Sequence, residues 1–208
     1  MVLPRFYPIV DTEVAARRNN DPVKAVGQIL EGGAKILQFR HKGFLSREAF
    51  AWLEQIAGLT RAAGAALVVN DRADLAKLFG AWLHLGQDDL LPSIARRVVG
   101  PDATIGFSTH NEAQLRTGSA EPADYLALGP IFGTMTKENP DPTVGLKELR
   151  RLKPISNRPL VAIGGITRAN AMQVIEAGAD SVAVIGDLFP EDGKIRARTE
   201  EWIRLLGA

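Results

Sequence analysis

The segment with the most distinctive chemistry is KILQFRHKG, residues 35–43. Its apolar residues are those of a buried strand, yet Gln38, Arg40 and Lys42 occupy every second position. Because strand side chains alternate between faces, these three polar groups share one face. Arginine binds two oxygens at once and lysine supplies a point charge, so the row suits an oxyanion such as a diphosphate. A solvated strand face is the alternative explanation.

Carboxylates follow two other strand-like runs. Asp71 ends VVND, and Asp88 and Asp89 lie in HLGQDDL. Two carboxylates together with phosphate oxygens are the usual protein ligands of Mg²⁺, which makes Asp71 and Asp89 a candidate metal pair. Each is also compatible with a plain structural role, because aspartate commonly caps the first turn of a helix and helical sequence follows both.

Glycines and hydroxyl residues follow the remaining strand-like runs. The glycines of IGGI and VIGD, including Gly165 and Gly186, allow backbone N–H groups to approach a phosphate, although such glycines are commonly just turns. In GFSTH, Ser108 and Thr109 fit either a ligand contact or a cap of the helix that follows. The other polar groups at these ends are Asn70, Thr134, Thr136 and Lys137.

The three histidines are weaker candidates. His41 alternates out of phase with Arg40 and Lys42, so it is expected to be structural. His84 is more typical of a packed or solvated histidine than of a ligand, and the pattern around His110 favours neither a functional nor a structural role.

Eight β-branched runs alternate with helical segments along the whole chain. The predicted strands are 5–11, 35–40, 65–70, 81–86, 103–108, 124–129, 159–164 and 181–186. In one predicted helix Ser46 is the N-cap, and the apolar stripe comprises Phe50, Leu53, Ala57, Thr60 and Ala63.

This alternation predicts parallel strands with right-handed crossovers. A single (β/α)8 TIM barrel spanning residues 1–208 is favoured over an open doubly wound sheet. Polar residues end many strands rather than one switch point, and no G-x-G-x-x-G follows the first strand.

Composition narrows the class of protein. The 208 residues are 46% hydrophobic with a net charge of +1, so no overall field attracts nucleic acid or an acidic membrane. The absence of cysteine excludes disulfides and thiolate sites. No apolar run approaches the ~20 residues of a membrane span, and the N-terminal apolar run is short for a signal peptide. We therefore expect a cytoplasmic protein, and a homo-oligomer is compatible with this sequence.

Several motifs in order resemble the thiamine phosphate synthase family over residues 7–186. They are LQFRHK, VVNDRADLA, HLGQDDL, IGFSTHN, ADYLALGPIFGTMTK and AIGGITRANA. The resemblance implies a pyrophosphate-releasing transferase of thiamine biosynthesis. Its substrates would be a pyrimidine diphosphate (4-amino-5-hydroxymethyl-2-methylpyrimidine diphosphate) and a thiazole monophosphate.

The resemblance also assigns roles by position. Mg²⁺ would lie on Asp71 and Asp89, and Arg40, Lys42, Ser108 and Lys137 would act in catalysis. The substrate-binding set would comprise Gln38, Phe39, Arg40, His41, Lys42, Asn70, Ser108, Thr134, Met135, Thr136, Lys137, Gly165, Ile185 and Gly186. Pyrophosphate would leave first, and the thiazole nitrogen would capture the resulting methylene cation.

Three positions depart from the family pattern: Gly186 stands where serine is common, Gly133 where proline is common, and His41 where an acidic residue is usual. Two other functions remain open. One is a thiazole tautomerase with His110 as acid and base, and the other is a non-catalytic barrel that binds phosphate ligands. The 137–145 segment is a candidate lid.

Overall fold

The computed structural model of the chain describes residues 2–133 and 141–207. Eight parallel strands close into a barrel in the order β1 to β8, with β8 pairing back onto β1. The strands are β1 (Phe6–Asp11), β2 (Ile36–Arg40), β3 (Ala66–Asn70), β4 (Trp82–Leu85), β5 (Ile105–Thr109), β6 (Tyr125–Leu128), β7 (Leu160–Ile163) and β8 (Ser181–Val184). All eight predicted strands and the (β/α)8 architecture are thereby confirmed.

Helices follow or connect the strands on the outside of the barrel. They are α1 (Thr12–Arg17), α2 (Pro22–Glu31), α3 (Arg47–Ala62), α4 (Ala73–Phe79), α5 (Pro92–Val99), α6 (Glu112–Ala120), α7 (Gly145–Leu152), α8 (Ala171–Glu176) and α9 (Ile195–Leu206). Two 3₁₀ turns, Lys153–Ile155 and Gly186–Leu188, complete the pattern. No helix in the described part of the chain is long and apolar enough to cross a membrane.

Helix α3 shows how the sequence determines the start and the buried face of a helix, and where the prediction was inexact. Ser46 caps it as predicted, because its hydroxyl accepts a hydrogen bond from the N–H of Ala49 at 3.1 Å. The buried face includes Ile56, which the predicted stripe omitted. Ala63 was wrongly placed in the stripe: it follows the last helical residue and is exposed.

The core has two layers, separated by the strands. The outer layer lies between strands and helices and contains Phe39, Leu37 and the Phe6–Trp202 ring stack. The inner layer fills the barrel with Tyr7, Tyr125 and the side chains Leu3, Ile9, Ile36, Val68, Ala127, Val161 and Ala183. Gly106 makes room for this filling, since a Cβ there would lie 2.1 Å from the Tyr125 ring.

Candidate active site

A pocket opens at the carboxyl ends of the strands, above the inner core layer. This is the end at which barrel enzymes place their sites. Residues from all eight strands, and Ile185 just beyond β8, line it: Tyr7, Ile9, Gln38, Arg40, Asn70, His84, Ser108, Ala127, Val161, Ile163, Ala183 and Ile185. The predicted inward face of β2 is confirmed, because Gln38 and Arg40 both line this pocket.

A second, wider groove lies at the opposite end of the barrel, beside the start of β4. Lys77, Trp82 and Asp102 are among its lining residues. The Lys77 ammonium donates to the carbonyl of Val99 at 3.2 Å, so it already has a protein partner. We therefore place the chemistry in the pocket at the carboxyl end, where several strands contribute converging polar groups.

The floor of the pocket is a neutral hydrogen-bonded network. Gln38 Nε2 donates to the Tyr7 hydroxyl at 3.0 Å, and the Tyr7 and Tyr125 hydroxyls lie 2.8 Å apart. His84 Nδ1 is 3.1 Å from the Tyr125 hydroxyl, and His84 Nε2 is 2.8 Å from Ser108 Oγ. Burial lowers the pKa of His84 to about 4, so its imidazole is neutral at pH 7.

Asn70 supplies an unmatched donor on the wall of the pocket. The residue is 8% exposed, and its Nδ2 atom has no hydrogen-bond partner among the residues that the structure describes. A buried amide without a partner costs about 1–3 kcal/mol, so such a group is normally matched by something else. Asn70 lies on the pocket wall, so it offers a hydrogen-bond donor to this pocket.

Arg40 is held at the pocket edge by a buried carboxylate. β1 and β2 pair with Asp11 opposite Arg40, and the guanidinium contacts Asp11 Oδ2. Asp11 Oδ1 accepts from the backbone N–H groups of Glu13 and Val14, each at 3.0 Å, and so caps α1. One carboxylate thus has two tasks, one for each oxygen, and Arg40 remains 24% exposed for a ligand.

Asp71, Asp89 and Lys42 form a charged cluster beyond the ends of β2, β3 and β4. Lys42 Nζ contacts Asp71 Oδ2 at 2.5 Å. Burial raises the pKa of Asp71 to about 6, and the nearby Asp89 carboxylate adds to the rise. The lysine offsets only part of this, so the two carboxylates carry more negative charge than the protein balances. Such a pair fits a divalent cation.

Backbone geometry rules out the capping explanation for these aspartates. Asp71 has a φ of +64°, and α4 begins at Ala73 with Arg72 at the N-cap position. The N-cap of α5 is Leu91, and Asp89 Oδ2 instead accepts from the N–H of Gly86 at 2.7 Å. A left-handed conformation is uncommon for residues other than glycine, although aspartate adopts it more readily than most.

The possible cap role of Ser108 and Thr109 is also wrong. Asn111 caps α6, accepting from the N–H of Gln114 at 3.0 Å. Ser108 is therefore available to the pocket, whereas Thr109 is fully buried and donates to the carbonyl of Ala127 at 2.8 Å.

The opposite side of the rim consists of glycines. Gly164 and Gly165 follow β7 with φ values of +99° and +63°. A Cβ on Gly165 would lie 2.5 Å from the carbonyl oxygen of Gly133, so only glycine fits there. Gly186 begins a 3₁₀ turn directly after Ile185, and a Cβ there would meet no atom within 4 Å.

Several predicted residues do not point into the pocket. Phe39 packs in the outer core, so its backbone alone can reach a substrate. The ring nitrogens of His41 face Thr12 Oγ1 at 2.8 Å and the carbonyl of Phe44 at 3.1 Å, away from the pocket, as alternation predicted. Thr134, Met135, Thr136 and Lys137, and most of the proposed lid, lie outside the described residues.

Sequence reasoning missed four residues of this site. His84 was interpreted as packed or solvated, yet it lines the pocket. Asp11, Tyr7 and Tyr125 were not singled out. Alternation along β1 was the available signal, because Tyr7, Ile9 and Asp11 occupy every second position of that strand.

Comparisons with known proteins agree with this geometry. Residues 6–188 match the family model described as thiamine monophosphate synthase. A thiamine-phosphate synthase of Koribacter versatilis is 45% identical, with 98% of this chain and 96% of the relative covered. One from Chlorobium phaeovibrioides is 45% identical over 88% of this chain and 85% of its own length.

A solved structure shows the same fold. The thiamine phosphate pyrophosphorylase of Pyrococcus furiosus superimposes with a TM-score of 0.85 at 31% identity, covering 98% of this chain and 95% of that one. The sequence matches span nearly the whole barrel, including every strand that lines the pocket. The chain therefore belongs to the thiamine monophosphate synthase family.

Proposed function

We propose that the protein joins 4-amino-5-hydroxymethyl-2-methylpyrimidine diphosphate to a thiazole phosphate, forming thiamine phosphate and releasing pyrophosphate. The observation that carries this proposal is a hydrogen-bonding pocket with Arg40 in its lining, next to the cluster of Lys42, Asp71 and Asp89 that follows β2, β3 and β4. A flat heteroaromatic ring needs the first environment, and a metal-bound diphosphate needs the second.

The pyrimidine ring is assigned to the pocket. Gln38, Asn70 and Ser108 present an amide, a second amide and a hydroxyl to it from three different strands. The Asn70 amide gains a partner when the ring binds, which removes the cost of leaving it buried and unmatched. Around these groups the lining is apolar, including Ile9, Val161 and Ile163, and this excludes water from the reacting carbon.

The diphosphate is assigned to Arg40 and Lys42, with Lys137 as a further expected contact. The bond between the methylene carbon and the diphosphate oxygen breaks, and its electron pair stays on that oxygen. Cations beside the oxygen stabilise the charge as it develops, and removing one such donor typically costs about 10²–10³ in rate. The amino group of the ring stabilises the methylene cation, and the thiazole nitrogen then forms the new C–N bond.

The carboxylates of Asp71 and Asp89 would hold Mg²⁺. Burial is the main cause of the raised pKa of Asp71 and the neighbouring Asp89 carboxylate adds to it, so a cation between the two would favour the ionised form of both. No cluster of three carboxylate or histidine ligands occurs in the described ranges, so oxygens of the substrate would complete the shell. When bound, the ion would supply additional positive charge for the leaving diphosphate.

The thiazole phosphate is assigned to the glycine side of the rim. Gly165, Ile185 and Gly186 offer backbone groups at the ends of β7 and β8, a recurrent phosphate-binding position in barrels. Thr134, Met135 and Thr136 are expected to contribute from the neighbouring segment. The two phosphate groups would then lie on opposite sides of the pocket, with the reacting atoms between them.

The tautomerase alternative gains no support from His110. Its Nδ1 atom is 2.6 Å from the carbonyl of Gly129, its Nε2 atom faces Asp141, and it is not among the residues that line the pocket.

The test is a single reaction mixture. Purified protein, pyrimidine diphosphate, thiazole phosphate and Mg²⁺ should yield thiamine phosphate and pyrophosphate in equal amounts. Omitting either the thiazole phosphate or Mg²⁺ should stop product formation. Isomerisation of the thiazole phosphate without coupling would support the tautomerase instead, and binding without turnover would support the non-catalytic barrel.

A further inference from the structure

Five side chains form one continuous line of hydrogen bonds across the floor of the pocket. In order they are Gln38, Tyr7, Tyr125, His84 and Ser108, hereafter the floor chain. Its four links are 3.0, 2.8, 3.1 and 2.8 Å long. Both ends line the pocket, while Tyr125 lies wholly inside the barrel and has no role in the proposed reaction.

Each middle member of the floor chain has one hydrogen to donate. Burial raises the pKa of both phenols, so each keeps its single O–H, and the neutral imidazole carries one N–H. A group that accepts on one side must therefore donate on the other. All four hydrogen bonds therefore run in the same donor-to-acceptor direction along the chain. The donor or acceptor role of the group at one end fixes that direction.

The direction follows from the amide at the first link. Gln38 Nε2 donates to Tyr7, so Tyr7 donates to Tyr125. Tyr125 then donates to His84 Nδ1, and the remaining N–H of His84, on Nε2, donates to Ser108. The hydrogen of the Ser108 hydroxyl is left for the pocket. Gln38 Oε1 accepts no hydrogen bond from the residues described, so it too is left for the pocket.

We propose that the floor chain sets opposite hydrogen-bonding characters at its two ends, with Gln38 accepting from the ligand and Ser108 donating to it. Reversing the chain would invert both ends together. Tyr7, Tyr125 and His84 are thus positioning residues that determine which ligand atoms the pocket accepts.

The ligand class follows from this polarity, and this step rests on the proposed function. The pocket favours a heteroaromatic ring with an unprotonated ring nitrogen for Ser108 and an amino group for Gln38. A 4-aminopyrimidine has both. A 4-oxopyrimidine carries a ring N–H and a carbonyl instead, so it presents the opposite pattern.

The tautomer of His84 tests the direction without any substrate. Nitrogen-15 NMR of the full chain distinguishes protonated from unprotonated imidazole nitrogens, and the His84 signals are assigned by their loss in His84→Gln. We expect the Nε2–H tautomer. In Gln38→Glu, measured between pH 7 and 9, the carboxylate can only accept hydrogen bonds. The donor-to-acceptor direction along the floor chain should therefore reverse, and His84 should become the Nδ1–H tautomer.

Tyr125→Phe provides the matched control, because it keeps the ring and removes one link. In the double variant Gln38→Glu/Tyr125→Phe, residue 38 should no longer influence the His84 tautomer. Tyr125→Phe alone should lose the strong tautomer preference, which keeps the test available if the glutamate variant does not fold. A native Nδ1–H tautomer overturns the proposal. So does an unchanged tautomer in folded Gln38→Glu, or a reversal that persists in the double variant.

Ligand discrimination tests the consequence for recognition. The wild-type protein should bind the diphosphate of the 4-aminopyrimidine at least tenfold more tightly than its 4-oxo analogue. Tyr125→Phe should narrow that ratio toward one. A ratio that Tyr125→Phe leaves intact overturns the proposal. If the wild-type protein binds neither analogue, the proposed function fails instead, and the NMR result still decides the direction of the floor chain.

Discussion

The two sides of the pocket rim meet anionic groups in different ways. The charged rim, made of Asp11, Arg40, Lys42, Asp71 and Asp89, uses ionised side chains that partly neutralise one another. The glycine rim, made of Gly164, Gly165, Ile185 and Gly186, has no polar or charged side chain. The charged rim therefore depends on charge, whereas Gly164 and Gly165 in the glycine rim depend on the absence of a Cβ.

The difference matches what each side is proposed to hold. A diphosphate that leaves during the reaction gains negative charge, so cationic side chains and a metal ion are useful there. A monophosphate that serves only as an anchor keeps the same charge throughout. Fixed backbone N–H groups are sufficient for it, and they cost no side-chain entropy.

Removing the proposed metal ligand should produce the largest effect. Asp71→Asn keeps a residue that tolerates the left-handed backbone at φ +64°. We expect a loss of about 10³-fold in kcat, because the charge that holds Mg²⁺ is gone. Steady-state kinetics over a Mg²⁺ titration measure it. Asp88→Asn is the matched control, since this neighbouring carboxylate is exposed, and it should stay within about threefold of wild type.

Arg40→Ala should rank second and affect two properties. We expect about 10²-fold lower kcat from loss of a charge-assisted contact. Stability should also fall by about 1–3 kcal/mol, because the Asp11 carboxylate loses its cation while buried. Urea denaturation and steady-state kinetics give the two values.

A second substitution separates these effects. Asp11→Asn retains an oxygen that can cap α1 and removes the unpaired charge. In the double variant Asp11→Asn/Arg40→Ala, stability should recover while activity stays low. Recovery of activity along with stability would mean that Arg40 serves the fold rather than the substrate.

The pH dependence of stability should distinguish the two sides of the rim. The folded-state pKa of Asp71, about 6, lies above its ordinary value of 3.8. Folding therefore favours the protonated form, and the stability that Asp71 contributes is complete below pH 3.8 and lost as pH rises through 6. Relative to wild type, Asp71→Asn should gain about 1–3 kcal/mol between pH 4 and pH 7, allowing for partial solvent screening.

Urea denaturation of both proteins in EDTA at several pH values measures this difference. Titratable groups that both proteins contain, including His84, contribute equally to the two pH dependences and cancel in the comparison. A difference in unfolding free energy that does not change with pH would contradict the raised pKa of Asp71. Gly186→Ser, on the glycine rim, introduces no titratable group. Its difference in unfolding free energy from wild type should therefore not change with pH.

The sequence predicted which face of a strand each side chain occupies better than it predicted which residues contact one another. Alternation in β2 placed Gln38 and Arg40 on the inner face, since a period of two follows from strand geometry alone. It could not show that Arg40 meets Asp11 or that Tyr7 meets Tyr125, 118 positions away. Those contacts depend on barrel closure and strand register.

Local backbone conformation was the second property of the site that the sequence could not predict. Asp71, taken alone, fitted a helix cap better than a metal ligand, and both roles place aspartate before a helix. Its positive φ separates the two, and φ is a property of the fold around the residue. His84 was similarly ambiguous until the register of β4 brought it beside Ser108 and Tyr125.

The smallest predicted effect concerns Gly186, where the family pattern expected from the motif resemblance has serine. Unlike Gly165, this position has room for a side chain, with no atom within 4 Å of an added Cβ, and its φ is not positive. Gly186→Ser should therefore leave stability within about 0.5 kcal/mol of wild type. If the thiazole phosphate binds at this turn, the added hydroxyl should lower its KM by about two- to fivefold and leave kcat unchanged.

Gly165→Ala is the contrasting variant. Its Cβ would lie 2.5 Å from the Gly133 carbonyl, so the loop after β6 must move and the KM for thiazole phosphate should rise. Initial rates at saturating pyrimidine diphosphate measure both. A KM that Gly186→Ser leaves unchanged, while Gly165→Ala raises it, would place the phosphate nearer the end of β7. Identical KM values in all three proteins would remove the glycine rim from the thiazole site altogether.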